Sequence, residues 1–87
     1  MRRMKPVTLQ TSAQLANHLR SFRKARGLTQ SALGQLTGLK QARIAKIERD
    51  PSRVSIGQLL QLLAVLNVQV LLAPLAPKGP PRKAFDW

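Results

Sequence analysis

Leu28-Thr29-Gln30-Ser31-Ala32-Leu33-Gly34-Gln35-Leu36-Thr37-Gly38-Leu39-Lys40-Gln41-Ala42-Arg43-Ile44-Ala45-Lys46-Ile47-Glu48-Arg49 decides the fold of this chain. It reads as two short helices joined by a tight turn at Gly38. Thr29 can cap the first of them, because its hydroxyl accepts a free backbone N–H of the opening turn. That helix is placed at about Gln30 to Thr37, with Leu33 and Leu36 inward. Gly34 inside it costs roughly 1 kcal/mol against Ala, so it marks either a close helix contact or a tolerated weakness. Leu39 packs beneath the turn. The next helix runs from about Gln41 to Arg49 with Ile44 and Ile47 inward, until Asp50-Pro51-Ser52 stops it.

Upstream, Thr11 and Gln14 have the spacing of a capping box, which starts a helix near Thr11 or Ser12. Leu15, Leu19 and Phe22 form its apolar stripe. Arg20, Arg23, Lys24 and Arg26 crowd its end, where cations meet the negative pole of the helix dipole. Gly27 stands where a left-handed residue closes such a helix. Residues 1–10 read as a basic arm with a short extended piece at Val7-Thr8-Leu9.

Downstream, Ser55 and Gln58 repeat the capping-box spacing ahead of an apolar run. Ile56, Leu59, Leu60, Leu63 and Asn67 are placed on one face, with Leu62, Val65 and Leu66 round the side. That is more apolar surface than one small core covers, so Leu62, Val65 and Leu66 are expected to face a second copy. Asn67 tolerates the left-handed conformation and ends the helix. Val68-Gln69-Val70-Leu71-Leu72 is β-branched and too short for a helix, and reads as a strand. Val7-Thr8-Leu9 is a weak partner for it. Pairing with its twin across a dimer axis, through Val68, Val70 and Leu72, is the simplest solution. From Pro74 the chain turns Pro-rich and basic and ends Ala84-Phe85-Asp86-Trp87. Two of its three aromatic residues lie in the last three positions, so Phe85 and Trp87 are expected to engage a partner. The expected organisation is an arm (1–10), one folded domain (11–73) and a flexible tail (74–87).

Eighty-seven residues make one small domain whose core is marginal alone, which favours oligomerisation. There is no cysteine, hence no disulfide and no thiolate metal site. Fifteen Lys/Arg against three Asp/Glu give a net charge of +12. That balance points to a polyanion, nucleic acid first and an anionic membrane surface second. No signal-peptide core follows the charged N-terminus. The apolar run from Leu59 to Pro77 is broken by Gln61, Asn67, Gln69 and Pro74, so it is not a membrane span. A membrane-active protein also fails on pattern, since no helix carries a large lipid-facing face. A cytoplasmic location is expected. His18, Glu48, Asp50 and Asp86 assemble no catalytic or metal-binding set, and Gly34, Gly38 and Gly57 follow no phosphate-loop spacing. The expectation is therefore no enzyme, no metal and no cofactor. His18, beside the first apolar stripe, is read as a packing or surface residue rather than a phosphate contact.

A nucleic-acid reading fits the residues better. Reading DNA bases needs a helix whose first turn enters the major groove, with basic groups around it to hold phosphates. The helix after Gly38 begins Lys40-Gln41-Ala42-Arg43, with Lys46 one turn on. Gln pairs bidentately with adenine, Lys or Arg with guanine, and Ala meets a thymine methyl. Thr29, Gln30 and Ser31 put hydroxyls, an amide and free N–H groups at a helix start that suits a phosphate. Arg20 and Lys24 are further phosphate candidates. The same residues could form an ordinary solvated face, but the glycine turn, the helix lengths and the charge favour DNA. Glu48 lies on the inner side of its helix, where a lone carboxylate is costly. Arg23 on the first helix is its expected partner in a structural ion pair.

At these residues the chain resembles the Cro/C1-type (Xre) helix-turn-helix family. The matching pattern is Arg23…Gly27-Leu28-Thr29-Gln30…Leu33…Gly38…Gln41…Ile44…Ile47-Glu48, within about residues 12–66. The resemblance implies a mostly α, four- to five-helix, lambda-repressor-like bundle in which the third helix reads bases and Gln30 holds a phosphate. The strand read above would add one C-terminal β element that pairs across a homodimer. A narrower resemblance, to HipB-type antitoxins, is carried by Thr11-Ser12-Ala13-Gln14-Leu15-Ala16-Asn17, Gly38-Leu39-Lys40-Gln41-Ala42, the Asp50-Pro51 stop, the strand and the acid-Trp ending. It implies a homodimer that binds palindromic, inverted-repeat operators and a HipA-type Ser/Thr kinase toxin. Lys40, Gln41 and Ala42 would read bases, and the tail would help hold the kinase. The rivals are a stand-alone Xre-type regulator and an antitoxin of another toxin class, such as a ribonuclease.

Overall fold

The computed structural model describes residues 5–75. Four α-helices follow one another: α1 (Ser12–Ala25), α2 (Gln30–Thr37), α3 (Gln41–Arg49) and α4 (Ile56–Val65). A one-turn 3-10 helix, Pro51–Arg53, joins α3 to α4.

Local chemistry sets the boundaries. Thr11 Oγ1 accepts from Gln14 N at 3.1 Å, while Gln14 Oε1 accepts from Thr11 N at 3.2 Å and Gln10 N at 2.7 Å. This closes a complete capping box on α1. Thr29 Oγ1 accepts from Ala32 N at 3.0 Å and caps α2. The expected box on α4 is only half made. Ser55 Oγ accepts from Gln58 N, but the return bond from Ser55 N to the Gln58 side chain is not made; the Gln58 amide turns along the helix, its NH2 donating to Gln61 Oε1 at 3.2 Å. Lys40, which has no side-chain acceptor, leaves α3 without a side-chain cap. Gly27, Gly38 and Asn67 end α1, α2 and α4 at φ of +71°, +77° and +64°. Asp50 ends α3 and caps the 3-10 turn, accepting from Ser52 Oγ and Ser52 N.

Gly34 is a close contact. A Cβ there would stand 2.4 Å from the Leu39 carbonyl oxygen, and Leu39 N donates to Gly34 O at 2.8 Å. The bare backbone of α2 thus holds the turn that aims α3.

Leu19, Leu33, Ile44, Ile47, Leu59, Leu62, Leu63 and Leu66 form the core, with Leu15, Phe22, Leu28, Leu39, Val54, Val65 and Val68 packed against it. Each fully buried aliphatic contributes on the order of 1.5–3 kcal/mol against exposure. Two expectations are corrected here. Leu36 is 56% exposed, because α2 turns Leu33 and Gly34 toward its neighbours. In α4 the inward stripe is Leu59, Leu62, Leu63 and Leu66, at positions i, i+3, i+4 and i+7. Leu62 and Leu66, at 2% and 3% exposure, therefore belong to the chain's own core and not to a subunit face. Ile56 and Leu60, placed inward from the sequence, are 72% and 46% exposed instead. Residues 68–72, expected to form a strand that pairs with its twin in a second copy, form no strand among the described residues of the single chain. A strand is defined by its ladder, and Thr8 O, in the one weak partner segment, faces His18 instead. Val70 and Leu72 are exposed, and Val68 is half-buried against the core.

Candidate nucleic-acid interface

The packing of α2 against α3 brings the starts of both helices together, and the polar side chains there form one connected chain. Its inner end is buried. Arg23 Nε donates to Glu48 Oε2 at 2.6 Å and Arg23 Nη2 to Glu48 Oε1 at 3.1 Å. Arg23 Nη1 donates to Leu28 O at 2.9 Å. The two residues are 9% and 3% exposed. This bidentate pair ties α1 to α3 and leaves no buried side-chain N or O without a partner among the described residues. From Glu48 the chain continues outward. Gln30 Nε2 donates to Glu48 Oε1 at 3.2 Å, and Gln41 Nε2 donates to Gln30 Oε1 at 2.6 Å. Gln41 lies in the exposed first turn of α3.

Around this point the exposed side chains are Thr29 and Ser31 on α2, and Lys40, Gln41, Ala42, Arg43 and Lys46 along α3. The N–H groups that open each helix have no intrahelical acceptor. On α2 these are Gln30 and Ser31, and on α3 Gln41 and Ala42. Two positive helix poles therefore share one edge with Lys40 and Arg43.

Lys24 is exposed at the end of α1. Arg20 is placed differently from the free phosphate contact expected of it. Its Nη1 donates to Glu48 O at 3.1 Å and its Nη2 to Asn17 Oδ1 at 2.7 Å, so it is held against the end of α3. Sequence reading also missed Arg26, whose Nη1 donates to Val65 O at the end of α4. The crowding of cations at the end of α1 pointed to the dipole, not to carbonyls on other helices. His18 Nε2 lies 3.1 Å from Thr8 O, which can only accept, so the ring donates and pins the segment before α1. Its ring sits tilted against Phe22 at 6.3 Å between centroids. Phe85 and Trp87 lie outside the described residues. No described helix is long and apolar enough to cross a membrane.

Comparison with known proteins agrees with this geometry. A family model described as Helix-turn-helix matches residues 19–71. Antitoxin HipB of Escherichia coli is 30% identical over 77 residues, spanning 85% of this chain and 82% of that protein. A solved HipB-O1-O2 complex superposes with a TM-score of 0.71 at 29% identity, over 78% of this chain and 99% of the other. A HipA-HipB-O2-O3 complex gives the same TM-score and identity, over 78% of this chain and 96% of the matched chain. The chain belongs to the Cro/C1-type helix-turn-helix family, among its HipB-type antitoxins.

Proposed function

We propose that this chain is a dimeric, sequence-specific DNA-binding repressor that also serves as the antitoxin of a HipA-type Ser/Thr kinase toxin and regulates its own operon in a bacterial cytoplasm. The observation that carries the reading is the 2.6 Å bond between Gln41 and Gln30, which couples the exposed first turn of α3 to the opening amides of α2. In a chain of net charge +12, that edge suits a major groove and its flanking phosphates. Lys40, Gln41, Ala42, Arg43 and Lys46 read bases. Thr29, Gln30, Ser31 and Lys24 hold phosphates, and Arg20 adds its remaining donors at the margin. Two copies place their α3 helices roughly 34 Å apart, so the site is an inverted repeat.

Residues 11–73 form the binding domain, preceded by the arm (1–10) and followed by the tail (74–87). The dimer surface combines Val65, Val68, Val70 and Leu72 with the exposed Ile56 and Leu60 of α4, and the segment 68–72 gains its ladder from the second copy. Phe85 and Trp87 contact the kinase. The likeness to a structure that contains both HipA and HipB supports the partner assignment.

The test uses the full chain. Fluorescence anisotropy on duplexes from the DNA preceding its own coding region gives specific binding that weakens roughly 1,000-fold or more between 50 and 200 mM salt, as expected for several phosphate contacts. Co-purification recovers a kinase-like neighbour, and deletion of residues 74–87 weakens that capture. Capture of a ribonuclease, or of no toxin at all, returns the protein to one of the rival functions.

A further inference from the structure

We infer that the closing turn of α1 sets the half-site spacing that two copies can bind, because Arg23 and Arg26 tie the reading helix and the dimer segment to one another; this rests on the dimeric DNA-binding function proposed above. The two arginines stand three residues apart, as neighbours on one side of the helix end. Arg23 holds α3: its guanidinium clamps the Glu48 carboxylate at 2.6 and 3.1 Å. Arg26, the residue that caps α1, reaches a different helix and donates from Nη1 to Val65 O, the last carbonyl of α4.

The end of α4 explains why that carbonyl takes an outside donor. Val68 N donates to Leu63 O at 2.8 Å and Asn67 N to Ala64 O at 3.0 Å, the two bonds of a Schellman motif, with Asn67 at φ +64°. Leu66 N donates to Leu62 O at 3.0 Å. None of these N–H groups reaches Val65 O, which lies at the negative pole of the helix. No charged residue occurs between Val54 and Pro77, so this part of the chain has no cation of its own to place there. Arg26 supplies one from α1, 39 residues away in sequence. Val68 is half-buried against the core. The start of the segment 68–72 is thus held by backbone, core and guanidinium together, and its direction is fixed relative to α1. Through Glu48, α3 is fixed to the same turn. When two copies pair through 68–72, the separation and rotation of their α3 helices follow from that turn. Neither arginine has to touch a base for this, so both are positioning residues.

The experiment starts from wild-type full-length chain, which selects its inverted repeat from a randomised duplex library. That duplex and versions with one base pair inserted or removed at its centre are then titrated. Each change shifts the half-sites by about 3.4 Å and turns them by about 34–36°. Wild type loses about tenfold or more on the altered spacings, because both half-sites can no longer be engaged at once. Arg26→Met removes the donor but keeps an unbranched, helix-forming side chain. Its discrimination between spacings falls to within about threefold, a change of the size one lost hydrogen bond brings. Its base preference within each half-site is unchanged, since α3 is untouched. Arg26 is exposed, so the variant is expected to fold, and thermal melts check this. Arg26→Gln, whose amide ends well short of where Nη1 lies, makes the same comparison if Arg26→Met does not fold. Sedimentation at the titrating concentration reads the dimer. Monomer in Arg26→Met where wild type is dimeric also supports the inference, since the released segment is the one that pairs. Undiminished spacing discrimination in a dimeric Arg26→Met overturns the inference while leaving dimeric DNA binding standing. A wild-type chain that is monomeric, or indifferent to spacing, overturns both.

Discussion

Replacing Gly34 by alanine sets two effects against each other. Alanine is the better helix former by about 1 kcal/mol, which favours the variant. Against it stands geometry: the new methyl would lie 2.4 Å from Leu39 O, 3.4 Å from Leu39 C and 3.5 Å from Gln41 N. The first distance is about an ångström inside ordinary contact, and every atom involved is backbone. Overpacking typically costs about 1–3 kcal/mol, and a clash that no side chain can turn away from sits at the upper end. The net expectation is a loss of about 2 kcal/mol. In a domain of this size that lowers Tm by roughly 8–16 °C. The assay is thermal unfolding followed by far-UV circular dichroism, at matched protein concentration because an oligomer's Tm depends on it. Gly57→Ala is the control: a Cβ there meets nothing within 4 Å, so propensity acts alone and stability rises by about 0.5–1 kcal/mol. If Gly34→Ala melts at or above the wild-type temperature, the turn yields freely and the close approach does not hold α3 in place.

Glu48→Ala leaves the Arg23 guanidinium buried without its counter-charge and costs about 3–5 kcal/mol, read by denaturant unfolding; a joint exchange of Arg23 and Glu48 for apolar residues of similar size recovers most of that loss. Gln41→Ala costs about 1–3 kcal/mol at one base position and relaxes preference there, and an equal loss on every duplex sequence would count against it as a base reader. The Asp50 carboxyl is held below its ordinary value of 3.8, first by the Ser52 hydroxyl and then by the Ser52 backbone N–H. Because the folded value is the lower one, this group's contribution is complete above pH 3.8 and is lost as pH falls through the folded value. The stability gap between wild type and Asp50→Asn is accordingly constant down to that pH and closes below it; a gap that persists unchanged into strong acid contradicts the assignment.

Helix boundaries were legible because they depend on groups three or four residues apart. Thr11, Thr29 and Ser55 accept from backbone N–H groups within their own first turns, and Gly38 and Asn67 take the left-handed conformation that a missing Cβ and a short polar side chain, respectively, permit. The ion pair was legible for another reason: an inward carboxylate in a chain with three acids has few ways to be satisfied. Gln30 was legible as a polar residue at a helix start, but not as the link between Glu48 and Gln41, which lie 18 and 11 residues away in sequence.

The amino-acid sequence alone thus determined where the helices start and stop, which two charges pair, and that a basic surface surrounds the first turn of α3. Tertiary structure alone decided which stripe of α4 goes inward. Its apolar run supports two overlapping faces of similar hydrophobicity, and only the shape of α1–α3 chooses Leu59, Leu62, Leu63 and Leu66 over Ile56 and Leu60. It likewise turned Leu36 outward, drew Arg20 onto the Glu48 carbonyl, and set Gly34 so close to Leu39 that no side chain fits between α2 and the turn. The physical reason is common to all four. Capping and turn preferences are local and additive, whereas the inward face of a helix depends on the volume its neighbours leave to be filled.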